Sequence, residues 1–369
     1  MKTNTITIGI IMLILIACTP QAKEPVVIGA LFPLTGGLSQ YGEAAQTTAA
    51  LAVEEINAAG GINGRPLVID YQDHQCNAKT AVSIFEQLSA AKKVRIFTSA
   101  ACSGTVLSIA PLLESKGALL FGTLVSTPKI TGVSPWVFRN WASDSKEAKL
   151  FADEILKKGY KKVGVIHEQT DYAQGLRIYL EKFLNGTGVQ VHSESFEPGA
   201  TDVRTQLAKL KDSNLDLLFI SPQTVPSGDV VLKQMQELNF KPPMIFVNDN
   251  IIKASDLLSR YAGLLEGAFG GDYSLSRTTE LDRVMEKYRQ KYGRDCPQTN
   301  ICAGIYDAVN LLAQAIAAKG EDAAGVRDYL KSVTYEGVSG RISFDENNDR
   351  SGAEYSLFVV KDGKAILAT

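Results

Sequence analysis

Val26-Val27-Ile28-Gly29-Ala30-Leu31 is an apolar run, and Leu67-Val68-Ile69-Asp70-Tyr71 is a second run of the same kind. Both have the length and the residue types of a buried strand. Residues 42–59, which lie between the two runs, are predicted to form a helix. The stretch therefore predicts two parallel strands joined by a right-handed crossover.

The same alternation continues along the chain and restarts near Asp144. Further strands are predicted over residues 94–97, 118–121, 163–166, 189–191, 215–220 and 244–247. Helices are predicted over residues 78–91, 103–116, 144–158, 172–184, 203–211 and 228–238. Two such runs predict an α/β protein with two doubly wound parallel-sheet lobes.

The composition is that of an ordinary soluble globular protein of about two domains. The 369 residues are 45% hydrophobic and 21% charged, and Lys+Arg 38 against Asp+Glu 40 gives a net charge of -2. This balance excludes a collagen-like or disordered chain, and it argues against nucleic-acid binding, which needs a basic surface. Three histidines leave little material for a His-based metal centre. We expect no metal and no cofactor.

The N-terminus has the features of an export signal. Lys2 precedes an apolar run over residues 6–16, which is short for a membrane span but suits a secretory signal. Leu15-Ile16-Ala17-Cys18 looks like the lipobox of bacterial lipoprotein precursors, in which the cysteine is lipidated. We expect a signal peptide over residues 1–17, lipidation at Cys18 and a tether over residues 18–25 that holds the protein on the extracytoplasmic side of a membrane. The alternative is a plain signal peptide or a simple membrane anchor.

Four further cysteines support an extracytoplasmic location: Cys76, Cys102, Cys296 and Cys302. An even number in an exported chain favours two disulfides, for which three connectivities are possible. We predict the pairs Cys76–Cys102 and Cys296–Cys302. Zinc binding is the competing interpretation, but the C-x-x-C spacing that it favours does not occur.

Ligands of open α/β sheets bind at the loops beyond the carboxyl ends of the strands. These loops are predicted at residues 33–42, 98–104, 122–127, 168–172, 221–228 and 248–250. Several of them are rich in Ser, Thr and Gly, which supply hydroxyls and accessible backbone amides. Ser103 lies where a helix begins, so it is either part of an anion site or an ordinary N-cap.

Ordered motifs along the chain resemble a known family. They include Asn57-Ala58-Ala59-Gly60-Gly61-Ile62-Asn63-Gly64-Arg65-Pro66-Leu67 and the segments 28–42, 73–76, 101–103, 126–128 and 167–175. This set resembles the periplasmic branched-chain amino-acid-binding proteins, the type I solute-binding components of ABC importers. The resemblance implies two lobes joined by three hinge crossovers, with residues 26–142 and 272–343 in the N-terminal lobe. Residues 143–271 and 344–369 would form the C-terminal lobe.

The resemblance also implies roles for single residues. Ser103 matches the position that binds the α-carboxylate of an amino acid, and Ser126 matches a hydroxyl that contacts the ligand. Leu124 would offer its backbone carbonyl, and Asp249 aligns with the second-lobe carboxylate that receives the α-ammonium. A buried zwitterion needs hydrogen-bonded partners for both charges, so this set is physically reasonable. The family also carries a disulfide at the positions of Cys76 and Cys102.

The aromatic positions show one departure from the family. Tyr41 and Tyr172 match tyrosines that face the cleft, one from each lobe. Where the family has a further second-lobe tyrosine, this chain has Thr224 as the nearest match, with Gln223 as the alternative. The pocket should therefore be larger or more polar. Branched-chain or apolar amino acids are the first expectation, and the family also includes receptors for amides, urea and aromatic acids.

The sequence does not contain the residues of a catalytic site. Ser126-Thr127-Pro128-Lys129 and Ser143-Asp144-Ser145-Lys146 fit S-x-x-K, but the companion S-D-N and K-T-G elements do not occur. We predict a monomeric solute-binding lipoprotein, not an enzyme, that closes on a small amino-acid-like ligand and delivers it to a membrane-bound ABC permease. The alternative is a sensor or envelope-regulatory lipoprotein of the same fold that acts on a protein partner.

Overall fold

The computed structural model describes residues 23–273, 275 and 278–368. The predicted signal peptide, the lipidation site Cys18 and residues 18–22 of the tether lie outside the described residues. Within the described part, two large sheets each carry helices on both faces. Each sheet is the centre of one lobe.

The first lobe is built on a five-stranded sheet in the order β2-β1-β3-β4-β5, in which all pairs are parallel. Its strands are β1 (Val26–Phe32), β2 (Leu67–Asp73), β3 (Ile96–Ala100), β4 (Leu119–Thr123) and β5 (Val137–Arg139). Its first helices are α1 (Ser39–Ala58), α2 (Ala78–Ala91) and α3 (Ser103–Lys116), followed by a short 3-10 turn (Pro128–Ile130). Every residue of β3 and β4 is buried, which explains why these strands carry no charged residue and do not alternate between a buried and an exposed face.

The second lobe has seven strands in the order β14-β13-β10-β9-β8-β6-β7. The strands are β6 (Lys162–Glu168), β7 (Gln190–Phe196), β8 (Leu217–Ser221), β9 (Met244–Val247), β10 (Phe269–Tyr273), β13 (Tyr355–Lys361) and β14 (Lys364–Leu367). The helices are α4 (Asp144–Lys158), α5 (Asp171–Leu184), α6 (Arg204–Asp212), α7 (Val225–Glu237), α8 (Asp249–Ile252), α9 (Ser255–Arg260) and α10 (Ala262–Leu265). β13 and β14 are antiparallel additions to an otherwise parallel sheet. Asp362 and Gly363, both with positive φ, form the tight turn that reverses the chain between them.

Three further helices return to the first lobe: α11 (Thr279–Tyr292), α12 (Thr299–Lys319) and α13 (Ala323–Ser332). A small hairpin follows, formed by β11 (Tyr335–Gly337) and β12 (Gly340–Ile342). By length and mean hydropathy, α12 could cross a membrane, but most of its surface is buried against the protein. It packs beside α1 in the core of the first lobe. Its apolar character is therefore that of a core helix.

The chain passes between the lobes three times. It leaves the first sheet after β5, returns after β10 and crosses again between β12 and β13. β10 continues through Asp272 and Tyr273, which pair with Ser356 and Tyr355 of β13. These two residues therefore belong to the second sheet, although the predicted boundary assigned them to the first lobe.

Both predicted cysteine pairs are bonded in the structure. The Cα atoms of Cys76 and Cys102 are 5.5 Å apart, and the bond joins the loop after β2 to the start of α3. The Cα atoms of Cys296 and Cys302 are 6.7 Å apart, and this bond ties the first turn of α12 to the segment before it. The first disulfide lies beside the loops that face the second lobe.

Candidate functional site

The loops after β1, β3 and β4 in the first lobe face the loops after β6, β8 and β9 in the second lobe. Two adjacent cavities lie between them and share Leu38 and Gln223 in their walls. We call them the inner cavity and the outer cavity. The carboxyl ends of parallel strands meet at such an edge, and this is where ligands of open α/β sheets bind.

The inner cavity measures about 20 Å³, and residues from both lobes line it. The residues are Leu38, Tyr41, Ala101, Leu124, Ser126, Tyr172, Gln223, Asp249 and Asn250. Five of the seven predicted ligand-binding residues therefore meet here: Tyr41, Leu124, Ser126, Tyr172 and Asp249. The predicted donors Tyr41 and Ser126 of the first lobe and the predicted acid Asp249 of the second lobe thus line one cavity. Their contacts with a ligand stay a prediction.

The outer cavity is much larger, about 640 Å³. The other two predicted residues, Ser103 and Thr224, line this cavity and not the inner one. Thr35, Gly104, Glu168 and Ser227 are among their neighbours in its wall. The predicted residues are thus divided between two connected spaces, and a molecule that contacts all of them must occupy both.

Two residues of the inner cavity have an unusual backbone conformation. Ala101 has φ 67° and Leu124 has φ 54°, and each follows the end of a buried strand. Residues other than glycine seldom adopt positive φ, and such conformations cluster at functional sites. The conformation turns the backbone at the carboxyl ends of β3 and β4, where the Leu124 carbonyl was predicted to contact ligand.

Arg139 holds the loop that carries Ser126. Its Nη1 donates to the carbonyl oxygens of Val125, Ser126 and Thr127 at 3.1, 3.1 and 2.9 Å. Its Nε and Nη2 donate to the two carboxylate oxygens of Asp349, each at 2.6 Å. The guanidinium is completely buried, and the bidentate pair joins the loop to the third crossing between the lobes. Sequence reasoning missed this residue, because an isolated arginine in a strand gives no signal of its partners.

Ser103 is the first residue of α3, whereas Cys102 occupies the N-cap position. The Ser103 hydroxyl is therefore not the N-cap, and the ordinary-cap interpretation is wrong. Its oxygen accepts a long hydrogen bond from the Thr127 backbone N–H at 3.4 Å. The first amides of a helix have no acceptor within the helix. Ser103 and Gly104 therefore bring donors to the wall of the outer cavity.

Asp249 already has two partners in its own lobe. The Tyr172 hydroxyl donates to its Oδ1 at 2.5 Å, and Lys253 Nζ donates to its Oδ2 at 3.0 Å. Lys253 also lies 3.2 Å from Asp272 Oδ1. Burial by itself lowers the pKa of Lys253, but the carboxylates of Asp249 and Asp272 raise it above its ordinary value. Lys253 is the C-cap residue of α8, four residues after Asp249, and this spacing was a signal that sequence reasoning did not use.

The first turn of α4 carries two completely buried acids, Asp144 and Glu147, near the Asp249–Lys253 ion pair. The Tyr355 hydroxyl donates to Asp144 Oδ1 at 2.7 Å. Neither carboxyl oxygen of Glu147 has a hydrogen-bond partner among the described residues. Burial, with the neighbouring charge of Asp249, raises the pKa of Asp144 to about 7 and raises that of Glu147 well above its usual range. These acids are therefore held toward their neutral forms beside the first crossing between the lobes.

Thr224 and Gln223 have different positions. Thr224 is the N-cap of α7, and its Oγ1 accepts from the Ser227 N–H at 3.2 Å. It faces Gly37 of the opposite lobe, and a Cβ built on that glycine would lie 3.3 Å from Thr224 Cγ2. Gln223 lines both cavities, and its backbone N–H donates to Glu168 Oε2 at 2.6 Å. Of the two, Gln223 is the residue at the boundary between the cavities.

Direct contacts hold the two lobes together. The Tyr41 hydroxyl on α1 donates to Asn250 Oδ1 on α8 at 2.9 Å. Lys129 Nζ pairs with Asp171 Oδ1 at 2.9 Å, and the Thr127 hydroxyl donates to the Asp171 carbonyl at 2.9 Å. Asn250 lies in a segment that the sequence indicated only as a loop facing the cleft. In this structure the two lobes are therefore closed, and the cavities lie between them.

The fold and the site define a class of protein: two α/β lobes that are joined by three crossings and enclose a polar site between them. A family model described as periplasmic binding protein matches residues 25–365. The chain belongs to this family, and the family resemblance and type I fold predicted from the sequence are confirmed. The family consists of solute-binding proteins of transporters, so the protein is not an enzyme and functions outside the cytoplasm.

Individual relatives differ in what they bind. The leucine-, isoleucine-, valine-, threonine-, and alanine-binding protein of Pseudomonas aeruginosa is 24% identical over 347 residues, which cover 92% of this chain and 90% of that protein. A leucine binding protein from Thermotoga maritima has a TM-score of 0.81 at 24% identity, covering 93% of this chain and 98% of that one. A solute binding protein from R. palustris in complex with benzoate has a TM-score of 0.79 at 16% identity, covering 93% and 95%. At these identities the two structures show the shared fold alone.

Proposed function

We propose that this protein is a lipid-anchored solute-binding component of an ABC importer and that it captures a small amino-acid-like ligand by closing its two lobes. The observation that carries the proposal is the inner cavity, where Tyr41 and Ser126 of one lobe face Tyr172 and Asp249 of the other. Donors and an acid on opposite lobes can contact one molecule only when the lobes are closed. Ligand binding then stabilises the closed state.

The ligand that we propose is an α-amino acid. Its carboxylate would be bound by the Ser103 hydroxyl and the amides at the start of α3. Its ammonium would lie at the inner cavity, between the Leu124 carbonyl, Ser126 and Asp249. Several relatives are named for leucine, isoleucine and valine, so these amino acids are the first candidates to test.

A thermal-shift screen of the full-length protein, purified in detergent with its disulfides intact, tests the proposal. The panel contains the twenty amino acids, followed by amides, urea and aromatic acids. A ligand at a hundred times its Kd should add about 2.7 kcal/mol to the free energy of unfolding. Stabilisation by amino acids supports the proposal. If no compound stabilises protein stripped of co-purified ligand, the proposal fails and a protein partner becomes the better candidate.

Two substitutions test the site within the same assay. Ser103→Ala and Asp249→Ala each remove a partner of a buried ligand charge, and such losses commonly cost about 2 to 5 kcal/mol of binding free energy. Asp256, an exposed acid on the neighbouring helix α9, provides the control Asp256→Ala. Wild-type affinity in both site variants would show that the site assignment is wrong even if the protein binds an amino acid.

Lipid anchoring needs a separate experiment. We propose that Cys18 is acylated, because Leu15-Ile16-Ala17-Cys18 fits the lipobox pattern at the end of an apolar run. Metabolic labelling with a palmitate analogue should label the wild-type chain and should not label Cys18→Ser. Equal labelling of the two chains would contradict this part of the proposal.

A further inference from the structure

We infer that the ligand is an amino acid with a positively charged side chain, which the buried carboxylate of Glu168 receives in the outer cavity. The inference rests on the proposed function, because it specifies the side chain of the amino acid proposed there. It is carried by the size of the two cavities, by the charges in the wall of the outer one and by the surroundings of Glu168.

The sizes of the two cavities indicate that the side chain of a bound amino acid lies in the outer cavity. The inner cavity, of about 20 Å³, has room for roughly one water molecule, and its walls are the groups proposed to bind the ammonium. The outer cavity measures about 640 Å³ and begins at Ser103 and Gln223. An amino acid whose ammonium lies at the inner cavity must therefore extend its side chain into the outer cavity.

The wall of the outer cavity carries negative charge without positive charge. Among the described residues, two acids line it, Glu168 and Asp171, and none of the lining side chains is Lys, Arg or His. Asp171 already pairs with Lys129 of the opposite lobe. Glu168 is therefore the acid in this wall that can still receive a cation.

Glu168 is the last residue of β6, and only 2% of its surface is exposed. Its Oε2 accepts from the Gln223 N–H at 2.6 Å, and its Oε1 accepts from the Ser227 hydroxyl at 3.2 Å. Both donors are neutral, and no ion pair joins Glu168 to any described residue. Burial raises the pKa of Glu168 against these hydrogen bonds, as expected for a buried carboxylate without a cation.

A positively charged group on the ligand would give the buried carboxylate of Glu168 a counter-ion. A buried carboxylate without a counter-ion is costly, and pairing it with a cation on closure converts that cost into binding free energy. A branched aliphatic side chain would leave the Glu168 carboxylate without a counter-ion. It would also shield that carboxylate further from water. An acidic side chain would face the like charge of Glu168. The cavity therefore selects lysine-like or arginine-like side chains over leucine and over glutamate.

Isothermal titration of the full-length protein in detergent tests the inference, with arginine, lysine, ornithine, glutamine, leucine and glutamate as probes. Arginine or lysine is expected to bind at least about tenfold more tightly than leucine or glutamine. Glu168→Gln keeps an amide oxygen that can accept from the Gln223 N–H and an NH2 that can donate to the Ser227 hydroxyl. It removes the charge, so it should weaken binding of the cationic amino acid by about tenfold or more. Glu197→Gln, at an exposed acid of the same lobe, should leave that affinity unchanged.

The outcomes separate the inference from the proposed function. Leucine or glutamine binding at least as tightly as arginine and lysine would overturn the inference and leave the proposed function intact. Equal losses of cation affinity in Glu168→Gln and Glu197→Gln, or no loss in Glu168→Gln, would also overturn it, because Glu168 would then have no specific role. Failure of every amino acid to bind would instead refute the proposed function.

Discussion

The hydroxyl of Tyr41 donates a hydrogen bond to Oδ1 of Asn250, 2.9 Å away and 209 residues further along the chain. Tyr41 belongs to the first lobe and Asn250 to the second, and both line the inner cavity. The bond can form only when the lobes are closed. It therefore couples the state of the hinge to the geometry of the site.

Tyr41→Phe should shift the protein toward an open state. A buried hydrogen bond contributes about 1 kcal/mol, so we expect ligand affinity to fall about fivefold. Small-angle scattering of the ligand-free variant should show a larger radius of gyration. Tyr288→Phe is the matched control, because it removes a phenol bonded to Thr47 inside the first lobe. Tyr41→Phe with an unchanged radius and affinity would show that this bond does not contribute to closure.

Lys253→Met should destabilise the second lobe. The substitution leaves Asp249 and Asp272 without the cation between them. Fully buried pairs lose about 3 to 5 kcal/mol when one partner is removed, and the partial exposure of Lys253 reduces our expectation to about 2 to 3 kcal/mol. Chemical denaturation measures the loss. Adding Asp272→Asn should restore part of it, and a double variant less stable than Lys253→Met would contradict this account.

The raised pKa of Asp144 predicts that the stability of the protein depends on pH. Its pKa is raised by burial to about 7, so the unfolded chain releases this proton at lower pH than the folded protein does. The contribution of Asp144 to the free energy of unfolding therefore falls as pH rises from about 4 to about 7. The Asn side chain of Asp144→Asn does not titrate, so the variant does not lose this contribution. The Tm of the variant should therefore rise relative to that of the wild type as the pH increases through this range.

The control for this experiment is Asp153→Asn, because Asp153 is an exposed acid on the same helix α4. Its Tm difference from the wild type should stay nearly constant over the same pH range. A constant difference for Asp144→Asn as well would show that Asp144 ionises equally in the folded and unfolded states. Thermal melts at several pH values distinguish the two results.

The two disulfides should contribute unequally. Cys76 and Cys102 are separated by 26 positions, and Cys296 and Cys302 by 6. The larger loop restricts the unfolded chain more, so the double substitution to Ser at the first pair should cost about 1 kcal/mol more than at the second. Denaturant unfolding of the two double variants measures the difference. A greater loss at Cys296 and Cys302 would contradict a purely entropic account.

Much of the fold was predictable because it depends on local pattern. Helix α4 begins at Asp144 and ends at Lys158 as predicted, with Ser143 as N-cap and Gly159 in the left-handed conformation at its end. β14 was not predicted, because four residues at the edge of a sheet, three of them exposed, give a weak apolar signal. Helices α11 to α13 were not predicted in detail, although the sequence indicated a return to the first lobe.

The site was predictable only in part. Tyr41, Leu124, Ser126, Tyr172 and Asp249 were indicated by resemblance and meet at the inner cavity. The same reasoning did not separate them from Ser103 and Thr224, which line the outer cavity. The contacts of Arg139 were also missed, because its partner Asp349 lies 210 residues away in the sequence. The pair of Lys253 with Asp249 was missed although the two are only four residues apart, and Asp272 comes from a separate strand. Only the packing of the two lobes reveals which groups share one space.

The sequence by itself determined the alternation of strands and helices, the starts of several helices and the positions of loops that face the cleft. These features depend on apolar periodicity and capping, which act over a few residues. Only the tertiary structure decided that Tyr41 meets Asn250, that Lys253 joins Asp249 to Asp272 and that Glu168 lies in a wall without a basic side chain among the described residues. The physical reason is that burial and charge pairing depend on distances in space, and the three crossings bring residues from distant parts of the chain together.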